Sequence, residues 1–351
     1  MHISEANRRY ETSLRATFDN AVVEADLIEK HDKMAKSAFQ FLRATCFRWA
    51  AEAQALLPNL SVLAAVGTVV DAHVGNFGLW RDSRMRLVWG VNDYDEAALA
   101  PWPFDIVRLA TSANLAFADP DPDDIVRAIL RGYREGLDAP SARVLERDHL
   151  WLRDAFTASD DERISFWKKL DKAEPAACRP STFEAPLRAA LGDATDVRIV
   201  PRSAGVGSLG RPRFVAIGRA AGGPVAVEIK GVMPSAWISG RREGLAERLA
   251  HGCFRSGDPT HHYSADHVVR RLAPDSGKVA FDKLARVEHP PLVRAMAADL
   301  GAIHAQGGSG PIIARELAGL DADWLLGAAR RTTLWTRDDW ADFKDRYVEG
   351  T

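Results

Sequence analysis

The chain has 351 residues, of which 46% are hydrophobic and 27% charged, as expected for a folded soluble protein rather than a disordered one. Its 46 Lys and Arg residues are matched by 48 Asp and Glu, so no basic excess suggests a nucleic-acid partner. The N-terminus does not read as a signal peptide, and no apolar run is long enough to span a membrane. We therefore expect a cytoplasmic protein without a membrane or nucleic-acid partner.

The first part of the chain, residues 1–195, is predicted to be mostly helical. Residues 1–57 show apolar spacings of three and four, and a helical pattern returns over 102–191. Between them, two apolar segments at 61–70 and 86–91 predict buried strands.

The next part, residues 196–275, predicts a small β-rich unit. Segments 197–200, 213–218 and 225–230 read as strands, and a Gly-containing hairpin joins the last two. A helix over 241–251 and a strand over 267–272 follow, and the tail from 291 is helical. The sequence thus predicts an α+β protein in three parts, with residues 276–351 packing on the first.

Polar residues follow both strands of the first part. Asp71 and Asn76 come after the first strand, and Asp93 and Asp95 come after the second. Carboxylate and amide oxygens are the ligands that Mg²⁺ prefers. If the two strands pair with each other, we expect these oxygens to converge.

A glycine motif opens the β-rich part, with Gly205, Gly207, Ser208 and Gly210 in the pattern G-x-G-x-x-G. A dinucleotide site needs a helix after this motif, but here an apolar strand follows. That context is typical of the hairpin that covers phosphates in kinase-like enzymes, where a lysine on the next strand binds phosphate oxygens. Lys230, at the end of A-V-E-I-K, is the candidate lysine. A plain tight hairpin is the alternative for the glycines.

Three segments resemble known catalytic motifs. Asp71–Asn76 resembles the D-x-H-x-G-N catalytic loop of aminoglycoside phosphotransferase and choline-kinase-like enzymes. Residues 91–95 resemble the metal-binding segment of those enzymes, and 104–109 resemble the Y-D-L-A-R-L helix that follows it. Over most of its length, the chain resembles an uncharacterised bacterial family, domain of unknown function 2252, with hallmarks at 33–43, 71–78 and 92–96.

The kinase-like resemblance implies roles for the acidic residues. Asp71 would orient the acceptor hydroxyl and take its proton, while Asn76 and Asp93 would hold Mg²⁺ on the triphosphate of ATP. Asp95 is a further candidate metal ligand beside them.

The resemblance also implies roles in the β-rich part. The backbone amides of 205–210 would cover the phosphates, and Lys230 would bind phosphate oxygens, oriented by a helix glutamate. Glu247 is the first choice for that glutamate and Glu243 the second.

The order of these motifs differs from that of ordinary kinase-like proteins, in which the glycine loop and lysine come first. Either the glycine motif is a coincidence, or a protein-kinase-like two-lobed fold is circularly permuted, and we favour permutation because it is tolerated where chain ends lie close together. A strand at 268–272 and an L-x-x-L-H-like helix at 300–305 resemble the elements on either side of a kinase hinge. Val69 and Val70 stand where the resemblance expects His and Gly, so a different anchor for the loop is expected.

These observations predict an ATP- and Mg²⁺-dependent phosphotransferase whose acceptor is a hydroxyl of a small molecule or a protein. Three alternatives remain open: an AMP transferase on the same fold, a nucleotide-binding pseudo-kinase that regulates a partner, and a metal-dependent hydrolase. The oligomeric state is left open by the sequence.

Overall fold

A computed structural model of the chain describes residues 1–119, 121–176, 179–284 and 287–349, and it is a mixed α and β structure. The helices are α1 Ile3–Phe18, α2 Glu24–Lys36, α3 Ala38–Ala44, α4 Cys46–Leu56, α5 Pro58–Ser61, α6 Pro103–Ala116, α7 Pro122–Asp138, α8 Leu150–Phe156, α9 Asp160–Asp171, α10 Glu184–Leu191, α11 Leu245–Ala250, α12 Phe281–Leu284, α13 His289–Ala305, α14 Gly310–Gly319 and α15 Trp324–Glu349. In the described part of the chain, no helix combines the length and the apolar character needed to cross a bilayer.

The strands of the described residues form three antiparallel sheets. They are β1 Ala65–Thr68, β2 Phe77–Arg81, β3 Leu87–Val91, β4 Ala98–Pro101, β5 Arg143–Val144, β6 Thr195–Pro201, β7 Arg213–Ala220, β8 Gly223–Gly231, β9 His262–Tyr263, β10 His267–Arg271 and β11 Gly277–Lys278. The sheet orders are β1-β4, β11-β2-β3-β5 and β6-β7-β8-β10-β9.

The predicted strands of the β-rich part are confirmed as β6, β7, β8 and β10. The two strands predicted in the first part do not pair with each other: β1 pairs with β4, and β3 pairs with β2, which directly follows the Asp71 segment. The first strand is also shorter than predicted because residues from Pro58 form a helical turn, for which proline at the first position is well suited.

The main apolar core surrounds α6, α7 and α13 and includes the inner faces of β1 to β4. A second, smaller core lies between α10 and the five-stranded sheet, where Phe183 and Leu187 meet Ile229. The connection 272–276 leads from the five-stranded sheet to β11, which pairs with β2. The polar segments after β1 and β3 therefore lie on a rigid scaffold that is joined to the β-rich part by this short connection.

Candidate functional site

The segment that carries Asp71 is anchored by a buried carboxylate. The backbone amides of Val69 and Val70 donate to the two oxygens of Asp105, at 2.7 and 2.8 Å. Asp105 lies in the first turn of α6 and also contacts Nε2 of His304 on α13, at 3.1 Å. Val70 has a φ of 63°, which a β-branched residue adopts only when its surroundings enforce it. Asp105 is thus the anchor that replaces the expected His and Gly.

The carboxylate of Asp71 is held by Arg108, one turn after Asp105 on α6. Nε and Nη2 of Arg108 lie 3.0 and 2.5 Å from Oδ1 of Asp71, and Nη2 also donates to the carbonyl of Leu42. Nε2 of His73 lies 3.7 Å from the other oxygen, Oδ2. Burial, together with nearby Arg43 and Lys278, holds the pKa of His73 well below its usual range, so this imidazole is neutral at pH 7. Arg108 therefore fixes the carboxylate while leaving Oδ2 with a neutral neighbour.

The side chain of Asn76 connects the two acidic segments. Its Nδ2 donates to the backbone oxygens of Asp71, at 3.1 Å, and Asp93, at 3.0 Å. These two acceptors fix which end of the amide is nitrogen. Oδ1 is buried and has no hydrogen-bond partner among the described residues. A buried carbonyl oxygen without a partner is costly unless a ligand satisfies it, and this oxygen is of the type that binds Mg²⁺.

Asp93 and Asp95 form an ionic cluster with three cations at the end of β3. Asp93 Oδ2 lies 3.1 Å from Lys230 Nζ and 3.0 Å from Lys278 Nζ. Asp95 Oδ2 lies 2.6 Å from Lys230 Nζ and 2.9 Å from Arg211 Nη1.

The two carboxyl groups of this cluster have opposite pKa shifts. Burial alone would raise the pKa of Asp93, but Lys230 and Lys278 outweigh it and hold that pKa well below the usual range. The pKa of Asp95 is raised by burial and by the charge of Asp93, although Lys230 and Arg211 oppose the shift. Asp93 is therefore the more readily ionised carboxylate of the two, and each of them is paired with two cations.

The predicted glycine motif forms the turn between β6 and β7. Gly205 and Gly210 have φ values of 75° and 91°, which glycine adopts without strain. Between them Val206–Ser208 forms a single helical turn. A Cβ atom at Gly207 would lie 2.7 Å from the carbonyl oxygen of Arg43, so the turn closely contacts α3.

The glycine turn and the acidic residues line one cavity. Its lining includes Gly205, Gly207 and Ser208 together with Asp71, Asn76, Asp93 and Asp95. Gly210 is outside this lining and packs beside Leu27 of α2. The structure therefore brings most of the predicted residues together, and Lys230 reaches the same cluster through Asp93 and Asp95.

The expected pair between Lys230 and a helix glutamate is not formed. Oε2 of Glu247 accepts from the amide of Tyr263, at 2.8 Å, and Oε1 lies 3.1 Å from Nδ1 of His262. The second choice, Glu243, precedes α11 and its backbone oxygen accepts from Arg248. Lys230 instead pairs with the carboxylates of Asp93 and Asp95, at 3.1 and 2.6 Å.

Three cationic residues of the site were missed by the sequence analysis. Lys278 lies on the two-residue strand β11, which carries no recognisable pattern. Arg211 directly follows the glycine motif, and Arg43 lies in the 33–43 hallmark, so both had a positional signal. Nε of Arg43 is buried and has no hydrogen-bond partner in the described ranges.

Residues 22–174 match the model of a family described as "Uncharacterized protein conserved in bacteria (DUF2252)". This match includes all three hallmark segments, but it covers less than half of the chain, not most of it as expected. The glycine turn and Lys230 lie beyond it. No curated protein and no solved structure matches the chain.

Proposed function

We propose that this protein is a Mg²⁺- and ATP-dependent phosphotransferase that acts on a hydroxyl group of a small molecule or protein. The observation that carries the proposal is the continuous chain of contacts from Asp71 through Asn76 and Asp93 to Lys230. These residues come from distant segments, and a phosphotransferase needs each of these groups around one phosphate. If Asp93 and Asp95 were only solvated residues at the end of a strand, a buried lysine, Lys230, would not be needed between them.

The proposed mechanism assigns one task to each group. Oδ2 of Asp71, with Oδ1 held by Arg108, accepts the proton of the acceptor hydroxyl. Asn76 Oδ1 and the Asp93 carboxylate would hold Mg²⁺, which neutralises charge on the phosphates when bound. Lys230 and Lys278, which contact Asp93 in the free protein, bind phosphate oxygens instead.

A permuted kinase-like arrangement of two lobes is part of this proposal. The five-stranded sheet has the glycine turn between its first two strands and Lys230 on its third, in the order that kinase-like enzymes use. His2 Nε2 lies 3.6 Å from Asp342 Oδ2, so residues near the two ends of the chain are neighbours. Such proximity makes permutation inexpensive.

The test is product analysis with ATP and Mg²⁺, water serving as a slow acceptor. We expect ADP and phosphate as products, and we expect Asp71→Asn and Asp93→Asn each to lower turnover roughly 100-fold or more. Asp161→Asn, an exposed change on α9, is the control and should leave turnover unchanged. AMP and pyrophosphate would instead indicate adenylyl transfer, and unchanged turnover in Asp93→Asn would contradict the metal role.

A further inference from the structure

Two residues before Lys230, on the same face of β8, a fully buried carboxylate binds three arginines. Glu228 Oε1 accepts from Arg213 Nη1 at 2.9 Å and from Arg270 Nη2 at 2.6 Å, and Arg202 Nη1 lies 3.0 Å from Oε2. Burial alone would raise the pKa of Glu228, but the three guanidinium groups hold it far below the usual range. One negative charge here faces three positive charges.

These arginines line a cavity of about 410 Å³ between the five-stranded sheet and the first part of the chain, whereas Glu228 lies behind them. The cationic side chains on the cavity are Arg43, Arg202, Arg213, Arg270, Lys278 and Lys283. The acidic ones are Asp93, Glu162 and Asp275. Glu162 is paired with Lys283, and Asp275 with Arg163. The part of the lining from β7 and β10, with Arg202, therefore keeps an excess of positive charge.

The lining also includes the apolar side chains of Leu79, Phe156 and Phe166. A ligand that fits this lining has a planar or apolar part and, in addition, an anionic group that binds the arginines. The arginines adjoin the phosphate-binding residues, since Arg270 donates to Oδ1 of Asn92, next to Asp93, and Arg213 donates to Ser208 of the glycine turn. Their three positive charges exceed the one negative charge of Glu228, so they can bind a further anionic group.

We propose that this cavity binds a nucleotide that carries a phosphate beyond its 5′-triphosphate, and that Arg202, Arg213 and Arg270 bind that phosphate. The proposal rests on the proposed function for the position of the triphosphate. Guanidinium groups match phosphate oxygens with paired hydrogen bonds. Arg202 is the most exposed of the three, since 32% of its side chain is exposed, whereas Arg213 and Arg270 are 4% and 16% exposed.

The experiment compares the affinities of three magnesium-bound probes by calorimetry. The probes are ATP, adenosine 5′-tetraphosphate and adenosine 3′-phosphate 5′-triphosphate. The second carries the additional phosphate at the end of its 5′-phosphates, and the third carries it on the ribose. We expect one of the last two to bind about tenfold or more tightly than ATP, as one charge-assisted contact provides. Arg202→Met should abolish this preference, and Arg219→Met, an exposed change on β7, should retain it.

The failures of the two proposals are distinguishable. Equal affinity for all three probes, with binding of ATP still dependent on Asp93, overturns the arginine site alone. A preference that survives Arg202→Met in a variant with an unchanged circular dichroism spectrum also overturns it. Failure of every probe to bind overturns the proposed function itself.

Discussion

At the scale of single residues, buried charges define the cleft. Lys230 is almost fully buried, yet it touches two carboxylates, and Glu228 on the same strand face touches three arginines. Burying charges is costly unless each has a partner, and removal of one partner is more damaging than replacement of the whole set. The stability of this region therefore depends on the ionised form of Glu228.

Glu228→Gln tests this dependence. At pH 7 we expect the free energy of unfolding to fall by about 3–5 kcal/mol, because three arginines lose their carboxylate. The pKa of Glu228 is lowered by folding, so its contribution is complete above the unfolded value of about 4.3 and is lost as the pH falls towards the folded value. Urea unfolding of both proteins between pH 7 and pH 3 should show the difference shrinking below about pH 4.3.

The exposed Glu184→Gln is the matched control, since Glu184 also pairs with arginines but lies at the surface. We expect it to change the stability little at any pH. A constant difference between Glu228→Gln and the wild type down to pH 3 would show that the ionisation of Glu228 does not stabilise the fold.

At the scale of elements, α13 supports both acidic segments. Its His304 contacts Asp105, which anchors the loop before Asp71, and its Asp299 accepts from the amide of Val91 at the end of β3. Asp299 is also paired with Arg255. Helix α13 can pack closely against α7 because two residues of α7 at the contact, Gly132 and Gly136, are glycines. The placement of the site therefore depends on the crossing of α7 and α13.

Gly136→Ala would disturb this crossing. A Cβ atom at Gly136 would overlap the backbone oxygen of Ala298 on α13, and a backbone atom cannot move aside as a side chain can. We expect a loss of about 3 kcal/mol in unfolding free energy, at the upper end of typical overpacking costs. Gly327→Ala on α15 is the control: apart from the backbone of its own helix, no described atom lies within 4 Å of the added Cβ, so the better helix former should stabilise by up to about 1 kcal/mol. Equal melting temperatures for the two variants would contradict the close crossing.

The sequence predicted those parts of the fold and site that are encoded locally. Strands β6 to β8 were recognised because their apolar runs are bounded by turn residues. Asp71 and Asn76 were recognised because six consecutive positions, 71–76, contain a motif. The pairing of β2 with β3 was missed because β2 begins inside the polar segment. Lys278 was missed because its partner, Asp93, lies far along the chain, and long-range ion pairs leave no local pattern.

Glu247 also shows the limit of local sequence patterns. Its distance from Lys230 along the chain suggested an ion pair, but that distance does not determine how the short helix α11 is oriented. In the structure the backbone of β9 and His262 bind the Glu247 carboxylate, and two aspartates bind Lys230. The partners of this buried lysine are thus set by long-range ion pairs between the end of β8 and the segment after β3.

At the scale of the whole molecule, a net charge of −2 conceals a strongly polarised cleft. Acidic residues after β1 and β3 face cations from β8, β11 and the segment after the glycine turn. These ion pairs connect the β-rich part to the rest of the chain. A magnesium-bound triphosphate carries both signs of charge, and it suits such a cleft better than a simple anion or cation does.

The most direct test is calorimetric binding of a magnesium-bound, non-hydrolysable ATP analogue to the wild type, Lys230→Met and the exposed control Lys172→Met. Lys230→Met should fold, because Asp93 keeps Lys278 and Asp95 keeps Arg211 as partners. We expect Lys172→Met to bind as the wild type does, and Lys230→Met to bind at least about tenfold more weakly, the effect of one lost charge-assisted contact. Equal affinity in all three proteins would contradict a phosphate site formed by Lys230 and the acidic segments.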